Sequence, residues 1–136
     1  MQEIKERAKG IVAKYLRERH TSEGYTGFTI QTEVQYPEAG LVADVLVTFG
    51  RGNRFAQEIY FDAISPEELK ERERLYSNLG MDLSYWICEG SPADTEENRE
   101  FLLEEFGECN VFAKNGDLSC QTTSVELRSS TENSGA

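Results

Sequence analysis

Ala43-Asp44-Val45-Leu46-Val47, followed across a glycine-rich turn by Gln57-Glu58-Ile59-Tyr60, is where the fold of this chain can be read. Each stretch has the apolar character of a central strand, and each carries one carboxylate. Acids are uncommon in such strands unless they are paired or bind something. Gly50-Arg51-Gly52-Asn53 is a tight reversal, which predicts a hairpin of residues 41–49 and 54–61. A turn centred near residues 51 and 52 pairs positions whose numbers sum to about 102 or 103, so Asp44 falls nearly opposite Glu58. Side chains directly opposed in this way have Cβ atoms about 4.5–5.5 Å apart.

Upstream, residues 3–19 place Ile4, Ala8, Ile11, Val12, Tyr15 and Leu16 at helical spacing. Gly10 costs that helix about 1 kcal/mol, which predicts a close approach to another backbone. His20 to Gly24 ends the helix, and the lone histidine is expected to meet the terminal carbonyls. Between Tyr25 and Tyr36, Phe28, Ile30, Thr32 and Val34 alternate with polar residues, as in a half-buried strand. Pro37 to Gly40 then turns the chain.

Downstream, Ser65-Pro66-Glu67-Glu68 is a strong helix start, with Ser at N-cap, Pro at N1 and Glu68 closing a capping box. The helix runs to about Asn78, with Leu69, Arg72, Tyr76 and Leu79 near one face, and Gly80 stops it. On its outer side Glu68 and Arg72 form an i,i+4 pair. Residues 83–88, with Trp86, read as another strand, and residues 94–106 as a helix turning Phe101, Leu102 and Phe106 inward. Residues 111–118 resemble a hairpin and 125–127 a last strand. The tail 129–136 (SSTENSGA) is expected to be disordered. The order predicts one α/β domain over residues 1–128, its sheet covered by the first helix on one side and the second on the other. A right-handed βαβ crossover should join the strand ending near Phe61 to the one starting at Leu83.

At 136 residues and 38% hydrophobic, the chain suits one folded core. No apolar run approaches the roughly 20 residues of a membrane span, and no leader is visible, so a soluble cytoplasmic protein is expected. Cys88, Cys109 and Cys120 are odd in number and widely spaced, as reduced thiols rather than a disulfide framework or zinc site. The net charge of -11 argues against a general nucleic-acid binder. Mg²⁺ can nevertheless bridge a carboxylate pocket to a phosphate. The same acidity would suit a salt-rich cytoplasm, where the Debye length contracts to about 3 Å at molar salt. Gly50-Arg51-Gly52 leads into a strand, not into a lysine-bearing helix, so it is no phosphate-binding loop.

Two carboxylates at hairpin distance suit a shared Mg²⁺ or Mn²⁺. The competing reading turns one acid to solvent and pairs the other with a cation from elsewhere in the fold. Glu6 on the first helix and Glu33 on the preceding strand are candidate third acids. Tyr60 shares the face of Glu58 and can offer a hydroxyl to water or phosphate. With an ordinary pKa near 10 it cannot replace an ammonium group facing developing negative charge. Arg72 and Tyr76, one turn apart, can reach a phosphate over the sheet end or simply snorkel.

Taken together, Ala43-Asp44-Val45-Leu46-Val47, Glu58-Ile59-Tyr60, Ile64-Ser65, Leu69-Lys70-Glu71-Arg72, Tyr76, Gly80 and Tyr85-Trp86-Ile87 resemble the nuclease-like domain of the competence protein CoiA family. That family is a branch of the PD-(D/E)XK, restriction-endonuclease-like superfamily. The resemblance covers roughly residues 1–88 and implies a three-layer core, a central mixed sheet flanked by helices. It also implies Mg²⁺- or Mn²⁺-dependent hydrolysis of phosphodiester bonds in DNA. Asp44 and Glu58 would be the catalytic metal-binding carboxylates, and Glu6 the acid contributed by the first helix. Tyr60 departs from the pattern, standing where the superfamily has Lys and this family often has Gln. Lys9 is then a candidate replacement, and with Arg72 and Tyr76 a candidate phosphate contact. Two functions follow: a metal-dependent DNA nuclease, or a degenerate nuclease-fold module that binds DNA, a protein partner or a second copy of itself. No membrane partner is expected.

Overall fold

The computed structural model describes residues 2–113 and 115–122. The expected strand at 125–127, the domain end at 128 and the tail 129–136 lie outside the described residues. The elements are α1 (Gln2–Ser22), β1 (Thr29–Tyr36), a 3₁₀ turn (Pro37–Ala39), β2 (Leu41–Thr48), β3 (Arg54–Tyr60), α2 (Pro66–Asn78), β4 (Asp82–Cys88), α3 (Glu96–Phe106), β5 (Glu108–Phe112) and β6 (Leu118–Thr122). They form one six-stranded sheet in the order β1-β2-β3-β4-β5-β6. β1, β2 and β3 pair antiparallel, β3, β4 and β5 parallel, and β5 with β6 antiparallel. Parallel neighbours need crossovers, which α2 and α3 supply.

Helices cover both faces of this mixed sheet. Ala8, Val12 and Leu16 of α1 pack against Val45, Val47, Ile59 and Trp86. Leu69 and Tyr76 of α2 and Leu102 of α3 pack on the opposite face against Leu46, Ala56 and Ile87. Each large apolar side chain buried in these layers contributes roughly 1.5–3 kcal/mol. The start of α2 is the capping box read from the sequence: Ser65 Oγ accepts from the Glu68 N–H, and the Glu68 carboxylate accepts from the Ser65 N–H. Glu68 is thereby committed to the cap, and Arg72 does not pair with it as the i,i+4 spacing predicts.

The β2–β3 pairs, Val45 with Gln57 through Thr48 with Arg54, sum to 102, so continuing the register sets Asp44 across from Glu58. Ladder pairing stops one step short of them, and this is where β2 and β3 part. Leu41 and Ala43 pack with the α2–α3 core, whereas Val45 and Val47, which strict alternation would put on the same face, pack with α1. β1 slips in the same way: Ile30 packs on the α1 side and Val34 on the other. Between them Glu33 has φ 57°, and it is the one non-glycine residue with positive φ among the described residues. The alternation expected from Phe28 to Val34 therefore breaks at Glu33, opposite Asp44 in the β1–β2 register.

Two local expectations are corrected. Gly10 lies on an exposed side of α1, and a Cβ there would meet nothing within 4 Å, so it marks no close backbone approach. Among the described residues, the His20 ring hydrogen-bonds no terminal carbonyl. Its Nδ1 lies 3.2 Å from Glu23 Oε1, and its edge contacts the rings of Tyr25, Phe28 and Phe49. Cys88, Cys109 and Cys120 are all free thiols. Among the described residues, no helix is long and apolar enough to cross a membrane.

Candidate functional site

Where β2 and β3 separate, a cleft of about 610 Å³ opens between the first turns of α1 and the loop leading to α2. Five carboxylates (Glu6, Glu33, Asp44, Glu58 and Asp62) and three cations (Lys5, Lys9 and Arg72) line it. Lys5 and Glu6 share a side of α1 with Lys9 because positions four and three apart are neighbours on a helix face. Glu33 is turned toward them by its left-handed backbone, a conformation that costs a non-glycine residue about 1–3 kcal/mol.

Asp44 and Glu58 are 6% and 2% exposed, so neither points to solvent. Asp44 Oδ2 accepts the Ile59 N–H at 2.7 Å. Its Oδ1 lies 3.7 Å from Lys5 Nζ and 3.9 Å from Lys9 Nζ, outside hydrogen-bond range. Burial pushes the Asp44 carboxyl above its ordinary range; the Ile59 N–H and the two lysines oppose this, and the charge of Glu58 adds to it.

Glu58 is held differently. Arg72 clasps it from Nε to Oε1 at 2.5 Å and from Nη2 to Oε2 at 2.6 Å. The Tyr76 hydroxyl donates to Oε2 at 2.6 Å, and the Tyr60 hydroxyl donates to Oε1. A carboxylate has about four acceptor positions, and all are used here. The bond to Glu58 raises the pKa of the Arg72 guanidinium. Burial first, then the charge of Glu58, push both phenols far above their ordinary pKa, so Tyr60 and Tyr76 are donors only. Arg72 and Tyr76, read from sequence as reaching a phosphate or simply snorkelling, both hydrogen-bond Glu58; Tyr76 is fully buried, whereas the Arg72 side chain is 30% exposed and lines the cleft.

Lys9 enters the cleft from α1. It is 5% exposed, and its ammonium donates to Glu33 at 2.9 Å and Glu6 at 3.1 Å. Burial alone would lower its pKa, but those two bonds and the charge of Asp44 outweigh it and leave the pKa raised. Lys9 is singled out from sequence as the first-helix lysine that could stand in for the one missing at Tyr60; Lys5 is not anticipated as a site residue. The structure thus brings Asp44, Glu58, Tyr60, Glu6, Lys9 and Arg72 to one cleft, and places Tyr76 behind it.

A divalent ion between Asp44 and Glu58 needs open acceptors on both. Mg²⁺ is usually held by one or two carboxylates, with water and substrate oxygens completing the shell. Asp44 Oδ1 meets that need. Glu58 does not, because each of its acceptor positions already has a protein donor. Among the described residues, no three His, Cys, Asp or Glu side chains are arranged to hold a metal ion. As they stand, these residues do not fit a metal shared by Asp44 and Glu58.

The fold is a mixed sheet between two layers of helices, with an acid–lysine cleft where β2 and β3 diverge. Residues 16–124 match the family model described as competence protein CoiA, nuclease-like domain, and the chain belongs to that family. The match corrects the extent read from sequence. It takes in residues 89–124 and leaves out the first turns of α1, with Lys5, Glu6 and Lys9. No curated protein matches the chain. Two solved structures are remotely similar, each at 18% identity and a TM-score of 0.39: a repair endonuclease from Pyrococcus abyssi and an EndoMS–dsDNA2 complex. They align with 63% and 67% of this chain, which spans only 38% of either of theirs. Family membership is consistent with metal dependence in general.

Proposed function

We propose that this chain is a nuclease-fold interaction module that binds a basic protein segment in its acidic cleft and does not hydrolyse DNA. The observation that carries this reading is the state of Glu58, whose acceptor positions are all taken by Arg72, Tyr60 and Tyr76. Charge supports the choice of partner. Five carboxylates against three cations line the cleft, and the chain carries -11 overall, which attracts cationic ligands and repels a bare phosphodiester. The test uses a lysine- and arginine-rich peptide and labelled single- and double-stranded DNA. The peptide should bind with an affinity that falls with salt and falls again in the Glu6→Gln/Glu33→Gln variant. DNA should stay intact with Mg²⁺ or Mn²⁺ at low and molar salt.

One observation favours a second reading, the Mg²⁺-dependent DNA nuclease of the family resemblance. Asp44, Glu58, Glu6 and a lysine, the residue types the superfamily uses, all line one cleft. Lys9 would there supply the ammonium that Tyr60 lacks. DNA cleavage with Mg²⁺ or Mn²⁺ that disappears in Asp44→Ala establishes this reading and overturns the first.

A further inference from the structure

We infer that the ammonium of Lys9 is the built-in cation of the cleft, standing between Glu6, Glu33 and Asp44 in place of a divalent ion. An ammonium offers three donors. Two go to Glu33 at 2.9 Å and Glu6 at 3.1 Å, and Asp44 Oδ1 lies 3.9 Å away. Lysines are almost never this buried unless paired. Lys9 is nearly sealed, while the side chains of the two glutamates that hold it are 54% and 57% exposed, so the cation is enclosed and its anions reach in from the rim.

The backbone is shaped to the same end. Glu33 takes a left-handed conformation at the point where β1 and β2 both slip their alternation. That slip turns the Glu33 side chain toward α1, where it meets Lys9. On the other side of the cleft Arg72 performs the corresponding service for Glu58. Glu58 is thus paired from within the chain, and Asp44 has the Lys9 charge 3.9 Å from its open Oδ1. This inference deepens the non-hydrolytic reading of the cleft and rests on it.

Removing the ammonium should uncover a metal site. Mn²⁺ binding to the full chain is measured by the loss of the free-ion electron paramagnetic resonance signal, with Asp44→Asn as the control for binding elsewhere on an acidic surface. Wild type and Asp44→Asn should take up Mn²⁺ equally weakly. Lys9→Ala should gain one ion per chain, bound about tenfold or more tightly, as removing a like charge about 4 Å from the ion's place would allow. Adding Asp44→Asn to Lys9→Ala should abolish the gain. Lys9→Gln, which keeps the length of the side chain, serves if the alanine variant is unstable and should gain the ion as well.

The inference is overturned if wild type binds an Mn²⁺ that Asp44→Asn removes, a measurement that needs no Lys9 variant to fold. It is equally overturned if a folded Lys9 variant gains nothing. Metal uptake and DNA cleavage are separate readouts. Wild type that binds Mn²⁺ without cutting DNA ends this inference and leaves the interaction-module reading standing.

Discussion

On the α2 side of the cleft Glu58 meets a planar guanidinium and two phenols; on the α1 side Asp44 meets one backbone N–H and two lysines just out of hydrogen-bond range. The two acids are one hairpin step from being partners in a ladder and are almost equally buried. Arg72 delivers two parallel bonds whose geometry is fixed by its fork, and Tyr76 is locked in the core. Lys5 and Lys9 reach Asp44 as point charges on flexible stems. One carboxylate is therefore built into the packing of the domain, whereas the other retains an open oxygen. Burial depth alone does not distinguish them; the partners do.

The sharpest way to break the contrast is Arg72→Met. It removes the only cation paired with Glu58 among the described residues and leaves a nearly sealed carboxylate, the situation in which breaking a buried pair costs about 3–5 kcal/mol. Because the Arg72 side chain keeps 30% exposure, the lower end, about 3 kcal/mol, is expected. A fall in the urea midpoint at unchanged slope would show it. Adding Glu58→Gln should recover much of the loss. An Arg72→Met variant as stable as wild type would mean that Glu58 is not anchored by this pair. Tyr76→Phe follows, losing one hydrogen bond to a charged group at about 1.5–3 kcal/mol, with the ring still packed.

How much of this was legible in the sequence differs between the same two sides. The hairpin register follows from Gly50-Arg51-Gly52-Asn53 and the lengths of its flanks, because pairing in a tight hairpin leaves little freedom. The capping box of α2 rests on purely local chemistry, and so was readable from four residues. The pairing of Arg72 with Glu58 was not. An i,i+4 partner lay on the same helix, and only the crossover onto β4 aims that face of α2 at β3. Glu33 was harder still. Alternation from Phe28 to Val34 gives no sign of the left-handed residue within it, since the cost of that conformation is met by contacts with α1, far away in sequence. Lys9 is legible only as a candidate lysine on the first helix; that it enters the cleft between Glu6 and Glu33 needs the fold.

The α1 side should yield smaller effects. Lys9→Met keeps most of the apolar stem and removes the ammonium, leaving Glu6 and Glu33 free to turn to water. Their exposure screens both pairs, so the loss should be about 1 kcal/mol or less. A thermal shift as large as that of Arg72→Met would erase the asymmetry between the two sides.

Asp44→Asn should have the smallest effect, and its pH dependence tests the sign of the contrast. The asparagine Oδ1 can still accept the Ile59 N–H, and no buried charge remains to be solvated. At neutral pH the variant should lie within about 1 kcal/mol of wild type, the span of one neutral hydrogen bond. Burial raises the Asp44 carboxyl above its ordinary value of 3.8 in the folded state, so the native protein holds this proton more tightly than the unfolded chain. Stability from that proton is fully present below the unfolded pKa and is lost as pH rises through the higher folded one. Subtracting the Asp44→Asn stability curve from the wild-type curve removes the other carboxylates common to both. The difference should favour wild type progressively as pH falls through the window just above 3.8. A difference that moves the opposite way would mean that Lys5, Lys9 and the Ile59 N–H hold Asp44 as tightly ionised as a salt bridge would, and the two sides of the cleft would then be alike.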